Sequence, residues 1–93
     1  MSLRIGIAGY GVVGKRRQEF INIRDDMNVV AVCDRLFDGV GILDDGTKFF
    51  SGYSELLNEN LDALFVCISN DMAAEVTIAG LKKGLHVFCE KPP

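Results

Sequence analysis

The sequence holds no apolar run long enough to cross a bilayer, and its N-terminus carries no signal-peptide pattern. It lacks a basic excess as well. Ten Lys and Arg against 13 Asp and Glu give a net charge of −3, so no overall field draws the chain to nucleic acid or to an anionic membrane. The three cysteines, Cys33, Cys67 and Cys89, show no CxxC or similar spacing, and no metal site is expected. Each lies near the end of an apolar strand-like run, the position of a small buried hydrophobe in a reducing cytoplasm. There is one histidine, His86, and no internal repeat or low-complexity segment. What remains is one small domain of 93 residues, 48% hydrophobic and 25% charged. Such a chain buries about 60–65% of its unfolded surface, an adequate but modest core.

Against that background one stretch stands out, Gly9-Tyr10-Gly11-Val12-Val13-Gly14. It follows the apolar run Leu3–Ala8 and leads into Lys15–Ile21, which reads as strand, glycine turn and helix. Gly9 lets the chain reverse tightly, Gly11 leaves room for a pyrophosphate against the backbone, and Gly14 lets the helix pack close to the strand. The first helical turn, at Val12 and Val13, offers unpaired N–H groups and a partial positive charge to a diphosphate.

The rest of the chain alternates. A helix is expected from about Val12 to Ile23, with Val13, Phe20 and Ile21 inward and Lys15, Arg16, Gln18 and Glu19 mostly outward. Asp25, Asp26 and Asn28 mark the return to a second buried strand, Val29–Cys33. From Arg35 to Thr47 the glycines and acids argue for a loop with at most one or two helical turns. A short strand over Lys48–Phe50 and a short helix over Ser54–Asn58 follow, capped by Gly52 or Ser54, with Leu56 and Leu57 as core contacts. Leu61–Ile68 is a further strand, and Ser69, Asn70 and Asp71 are turn and N-cap candidates. Met72–Lys83 is a helix, with Met72, Val76, Ala79 and Leu81 as inward candidates, Lys82 and Lys83 in its last turn and Gly84 just beyond. His86–Cys89 is the last strand. This alternation predicts an α/β, Rossmann-type, doubly wound parallel sheet of order 3-2-1-4-5, with a site at the carboxyl ends of its strands.

Asp34 closes the second strand at 34 − 14 = 20 positions past the last fingerprint glycine. An acid there accepts hydrogen bonds from adenosine ribose hydroxyls and repels a 2′-phosphate, which favours NAD. Its structural alternative is a turn-initiating aspartate. Arg35 could stack on adenine or pair with a 2′-phosphate, so NADP stays open.

Read with these residues, Leu61–Pro92 resembles the glucose–fructose oxidoreductase, inositol dehydrogenase and rhizopine-catabolism family of NAD(P)-dependent dehydrogenases. The resemblance rests on Phe65–Asn70, on Gly84-Leu85-His86-Val87, and above all on Glu90-Lys91-Pro92 after the last strand. It implies that Lys91 is catalytic, beside the nicotinamide and the reacting carbon; otherwise it is a solvated lysine beside a proline. Pro92 pushes Lys91 towards extended backbone, and the bond between them could be cis or trans. By the same resemblance Glu90 is a partner of the lysine or a cofactor contact. Asn70 lies against the nicotinamide ribose and can cap the helix as well, and Ser69 stands in the cofactor-facing turn. Ser69 replaces a frequent proline and Ala73 a frequent histidine, so contacts of those groups do not carry over.

The family implies a substrate that is a sugar, cyclitol or similar hydroxylated molecule, and a second domain that supplies the acid/base residue. The 93 residues are therefore expected to be the NAD(P)-binding part, a fragment without turnover of its own, because hydride transfer from a hydroxyl-bearing carbon needs a placed proton acceptor. The exposed edge strand 86–89 is expected to join copies into a homo-oligomer. A non-catalytic dinucleotide sensor and a bare structural domain with a vacant site are the competing readings.

Overall fold

The computed structural model describes residues 2–68 and 71–89. In chain order the elements are β1 (Leu3–Ala8), α1 (Val12–Asn22), β2 (Met27–Cys33), β3 (Gly41–Ile42), β4 (Lys48–Phe50), α2 (Tyr53–Leu56), β5 (Ala63–Val66), α3 (Met72–Lys82) and β6 (His86–Cys89). They form one six-stranded sheet of order β3-β4-β2-β1-β5-β6. Its five parallel strands follow the predicted order, and the sixth, β3, is antiparallel to β4.

The central strand explains the layering. In β1, Ile5 and Ile7 point to the α1 face, where they meet Ile21, Val29, Val32 and Ala63. Ala8 points to the opposite face and joins Ala31, Leu56, Leu57, Leu64, Val66 and Val76. A strand covered on both faces must be apolar at successive positions, which is why Leu3–Ala8 reads as a near-continuous hydrophobic run. Side chains tie the loop before β5 to the start of β1. Asp62 Oδ2 accepts from the Arg4 amide at 2.7 Å, and Arg4 Nε donates to the Asn60 carbonyl at 2.5 Å.

The structure corrects several expectations. The Arg35–Thr47 stretch is not a plain loop: Gly41–Ile42 pairs back on Lys48–Phe49 through a tight turn. Gly46 there has φ +90°, a left-handed conformation that costs glycine nothing. β2 starts at Met27 rather than Val29, paired with Leu3, and β5 is confined to Ala63–Val66. α1 is rotated relative to the hydrophobic reading. Gly14, Gln18 and Ile21 are its buried residues, whereas Val13 and Phe20 are exposed. In α3 the buried residues are Val76 and Gly80, while Met72 and Leu81 are exposed and Ala79 is half-buried. Cys33 is buried and Cys67 half-buried as small hydrophobes should be, but Cys89 is exposed, because β6 lies at the sheet edge.

Candidate functional site

The glycine turn is shaped by close approach. Gly9 has φ +97°, and a Cβ there would stand 2.7 Å from the Cys67 carbonyl oxygen. A Cβ on Gly14 would collide with the Gly9 carbonyl oxygen and reach Ile7 Cγ2 at 3.5 Å, so α1 can start this near β1 only with glycine. Gly11 is different. A Cβ there would meet nothing within 4 Å, so its small size serves open space in front of the turn and no contact inside the protein.

Gly11 is also the N-cap of α1. No side chain caps this helix, and its first turn carries no acid. The amides of Val12, Val13 and Gly14 have no intrahelical acceptor by geometry, and the helix dipole adds partial positive charge at the same place. Gly9 and Gly11 border a cavity of about 660 Å³, within the range of small-molecule sites. Asp34, Arg35 and Leu36 form one wall, the Ser51–Ser54 turn a second, and Cys67, Ile68, Met72 and Val76 the floor and far side.

Asp34 is held by the backbone. Its Oδ2 accepts from the Tyr10 amide at 2.7 Å and its Oδ1 from the Leu36 amide at 2.9 Å. Its own amide donates to the Phe50 carbonyl at 3.1 Å, and its carbonyl accepts from the Phe37 amide at 3.0 Å. A carboxylate offers about four acceptor positions, so two remain for a ligand. Asp34 therefore acts in the turn and still faces the cavity. Arg35 is exposed on the same wall. Burial pushes the Cys33 thiol up to about 12 and the Cys67 thiol up to about 11, which keeps both protonated and unreactive beside the cavity.

Of the residues singled out from sequence, Gly9, Gly11, Asp34 and Arg35 all border this one cavity, and Val12, Val13 and Gly14 start the helix that points at it. Ser69, Asn70, Glu90 and Lys91 lie outside the described residues. Among the described residues no cluster of His, Cys, Asp or Glu could hold a metal. Sequence reasoning missed one part of the site, the Ser51–Ser54 rim, and the β3–β4 hairpin that lies outside the cavity lining. The Ser51–Ser54 rim gave no signal beyond its short helix. The β3–β4 hairpin did give one, Asp45-Gly46 between short apolar runs.

These features fit a dinucleotide: a glycine turn with space at Gly11, a helix N-terminus for the diphosphate, and an acid fixed at the end of β2. Comparison with known proteins agrees. The family model for the oxidoreductase family with an NAD-binding Rossmann fold matches residues 3–93. The chain belongs to this family. Inositol 2-dehydrogenase of Salmonella typhimurium is 32% identical over 98 residues, covering 99% of this chain and 29% of the relative. Myo-inositol 2-dehydrogenase of Thermotoga maritima is 34% identical over 94 residues, covering 97% and 28%. Among solved structures, the WlbA dehydrogenase of Bordetella pertussis, determined with NADH and UDP-GlcNAcA, superposes with a TM-score of 0.81. It is 25% identical and covers 99% of this chain and 30% of its own. The chain thus spans under a third of the length of the curated relatives it matches.

Proposed function

We propose that these residues form the NAD(P)-binding part of an oxidoreductase that interconverts an alcohol and a carbonyl on a sugar, cyclitol or related substrate. The observation that carries the reading is Asp34, anchored by the Tyr10 and Leu36 amides at the mouth of the glycine turn. Its remaining acceptor positions suit the vicinal hydroxyls of an adenosine ribose, and its charge opposes a 2′-phosphate, so NAD is the preferred cofactor. Gly11 and the amides of Val12 and Val13 would receive the diphosphate. When bound, the nicotinamide supplies the hydride chemistry, and the protein orients it and excludes water. Arg35 is the residue through which NADP would be admitted.

The family resemblance supports the remaining roles. Lys91 is the proposed catalytic residue, holding the substrate oxygen, with Glu90 as its partner or a cofactor contact and Asn70 and Ser69 on the nicotinamide side. The substrate-binding half and the proton acceptor are proposed to lie in a second domain, as the greater length of the relatives suggests. A cytoplasmic location fits the reading, and no helix among the described residues is long and apolar enough to cross a membrane. Self-association through β6 belongs to the proposal too. That strand pairs only with β5 among the described residues, and its Phe88 is exposed. A strictly monomeric species by light scattering at high concentration would remove this part.

Calorimetric titration with NAD⁺ and NADP⁺ tests the core of the reading. We expect NAD⁺ to bind more tightly, and Asp34→Ala and Gly11→Val each to weaken it at least tenfold, about 1.4 kcal/mol. A preference for NADP⁺ would move the discrimination from Asp34 to Arg35. Absence of binding to both would overturn the assignment of the cavity.

A further inference from the structure

Gln18 and Thr47 are the two buried polar residues among those described, at 6% and 4% exposure, and they face each other. Gln18 sits mid-helix on the inner side of α1, where an aliphatic side chain would pack with no polar atom to satisfy. Burying an amide costs free energy unless each of its groups is bonded, and here each is. Its Oε1 accepts the hydroxyl of Tyr10, and its Nε2 donates to Thr47 Oγ1 at 3.2 Å and to Asp45 Oδ2 at 3.3 Å. Asp45 Oδ1 in turn accepts the Thr47 amide at 2.9 Å, which closes the β3–β4 turn.

The other end of this chain of contacts is the cofactor wall. Tyr10 lies between the first two fingerprint glycines, and its amide is one of the two that anchor Asp34. Its ring packs on Phe37 at 5.8 Å between centroids, and Phe37 packs on Phe49 at 4.7 Å. The Phe37 amide is bonded to the Asp34 carbonyl. Between Asp34 and the hairpin, residues 35–40 form no helix or strand and are mostly exposed. Backbone bonds at the end of β2 hold Asp34 itself, from the Gly9 amide to the Cys33 carbonyl and from the Asp34 amide to the Phe50 carbonyl, but the wall beyond it must be fixed by side chains.

We propose that Gln18 is a positioning residue for the adenosine half of the dinucleotide: its amide clamps the Tyr10 ring to the Thr47–Asp45 turn, and the clamped ring holds the Asp34 wall against the glycine turn. The proposal rests on the dinucleotide reading of the cavity. It assigns Gln18 no contact with the cofactor. Its effect passes through Tyr10, whose backbone and side chain are gripped at separate points.

The charged and titratable groups around the amide make the test specific. Tyr10 and Asp45 are bonded to the amide, and Glu19 and Lys15 of α1 act on Tyr10, with Lys15 Nζ 5.6 Å over the Tyr10 ring. Hydrogen bonds from Thr47 hold the Asp45 carboxyl below its ordinary range, so it stays ionised. In Gln18→Glu a protonated carboxyl can still accept from Tyr10 and donate to Asp45. An ionised one loses the donor and repels Asp45. The substitution therefore turns the clamp into one that works in acid and fails in mild alkali.

The experiment titrates the chain with ADP-ribose and with NAD⁺ by calorimetry at about pH 5 and pH 8, with the folded fraction followed by circular dichroism. For Gln18→Leu we expect both ligands to bind about tenfold more weakly, the scale set by leaving buried partners unsatisfied. For Gln18→Glu we expect affinity near that of the unsubstituted chain at the lower pH and about tenfold loss at the higher, relative to that chain at each pH. Lower melting temperatures with unchanged affinity at both pH values would overturn the proposal and leave Gln18 a structural residue. If Gln18→Leu fails to fold, the pH profile of Gln18→Glu decides alone. Absence of ADP-ribose binding by the unsubstituted chain would instead overturn the dinucleotide reading, and this proposal with it.

Discussion

The face of the sheet beneath α2 and α3 is packed with aliphatic side chains, Leu56, Leu57, Leu61, Leu64, Val66 and Val76 among them. The α1 face combines a smaller aliphatic cluster with the aromatic run Tyr10–Phe37–Phe49 and the buried amide of Gln18. The first face is a non-directional hydrophobic core, tolerant of how its members are arranged. On the second face hydrogen bonds and ring contacts fix particular atoms, and those atoms lead to the glycine turn and Asp34. The second face carries the positioned contacts on the Asp34 side of the cavity, while the first contributes Ile68 and Val76 to its far side as ordinary packing.

The aliphatic face should show the largest effect on stability. Leu64 is fully buried there, and Leu64→Ala should cost about 2–5 kcal/mol in urea unfolding. The affinity of the remaining folded fraction for dinucleotide should not change. A selective loss of affinity would break the contrast.

Gly14→Ala acts on the other face. Its methyl would collide with the Gly9 carbonyl oxygen, at a stability cost of about 1–3 kcal/mol. Here affinity should fall together with stability, because the displaced group belongs to the glycine turn that borders the cavity. Intact binding at reduced stability would show that the turn relaxes without harm.

A third test reads the faces through their thiols. Burial raises Cys33 to about 12 and Cys67 to about 11 from an ordinary 9.0. Since the folded value exceeds the unfolded one, the stabilisation is complete below the unfolded value and is lost as pH rises through the folded value. Unfolding curves measured from neutral pH upward should therefore show stability declining above about pH 9. Cys33→Ala should flatten that decline even while lowering stability at neutral pH; an unchanged slope would assign the effect to other groups.

The smallest effect belongs to the Lys48–Glu59 pair, 3.0 Å apart at the surface. Lys48→Met should change stability by less than about 0.5 kcal/mol, with no effect on binding, in the same urea assay.

Much of the layout was legible before any coordinates. The glycine spacing, the apolar runs and Asp34 are local patterns set by how a strand, turn and helix must succeed one another. The parallel order follows from alternating strands and helices with right-handed crossovers. The readings that failed did so for two main reasons. By composition alone Gln18 reads as outward because it is polar, and Phe20 as inward because it is aromatic. In fact Phe20 is 59% exposed, on the rim of an apolar groove with Ile23, Met27 and Phe65. The stretch 35–47 reads as a loop although Asp45-Gly46 marks a hairpin turn, because β3 contributes only Gly41 and Ile42 and is too short for alternation to show.

The fold class, the family and the members of the glycine turn can be read from the chain, since these depend on residues near one another in it and on steric limits of the backbone. Which side of α1 is buried, where Tyr10 points and how Asp34 is held emerge from packing across the fold. The Gln18 amide finds its partners at Asp45 and Thr47, 27 and 29 positions away. A helix's rotation about its axis is set by what it meets across the fold, so no local pattern can announce a polar group that is buried because distant partners satisfy it.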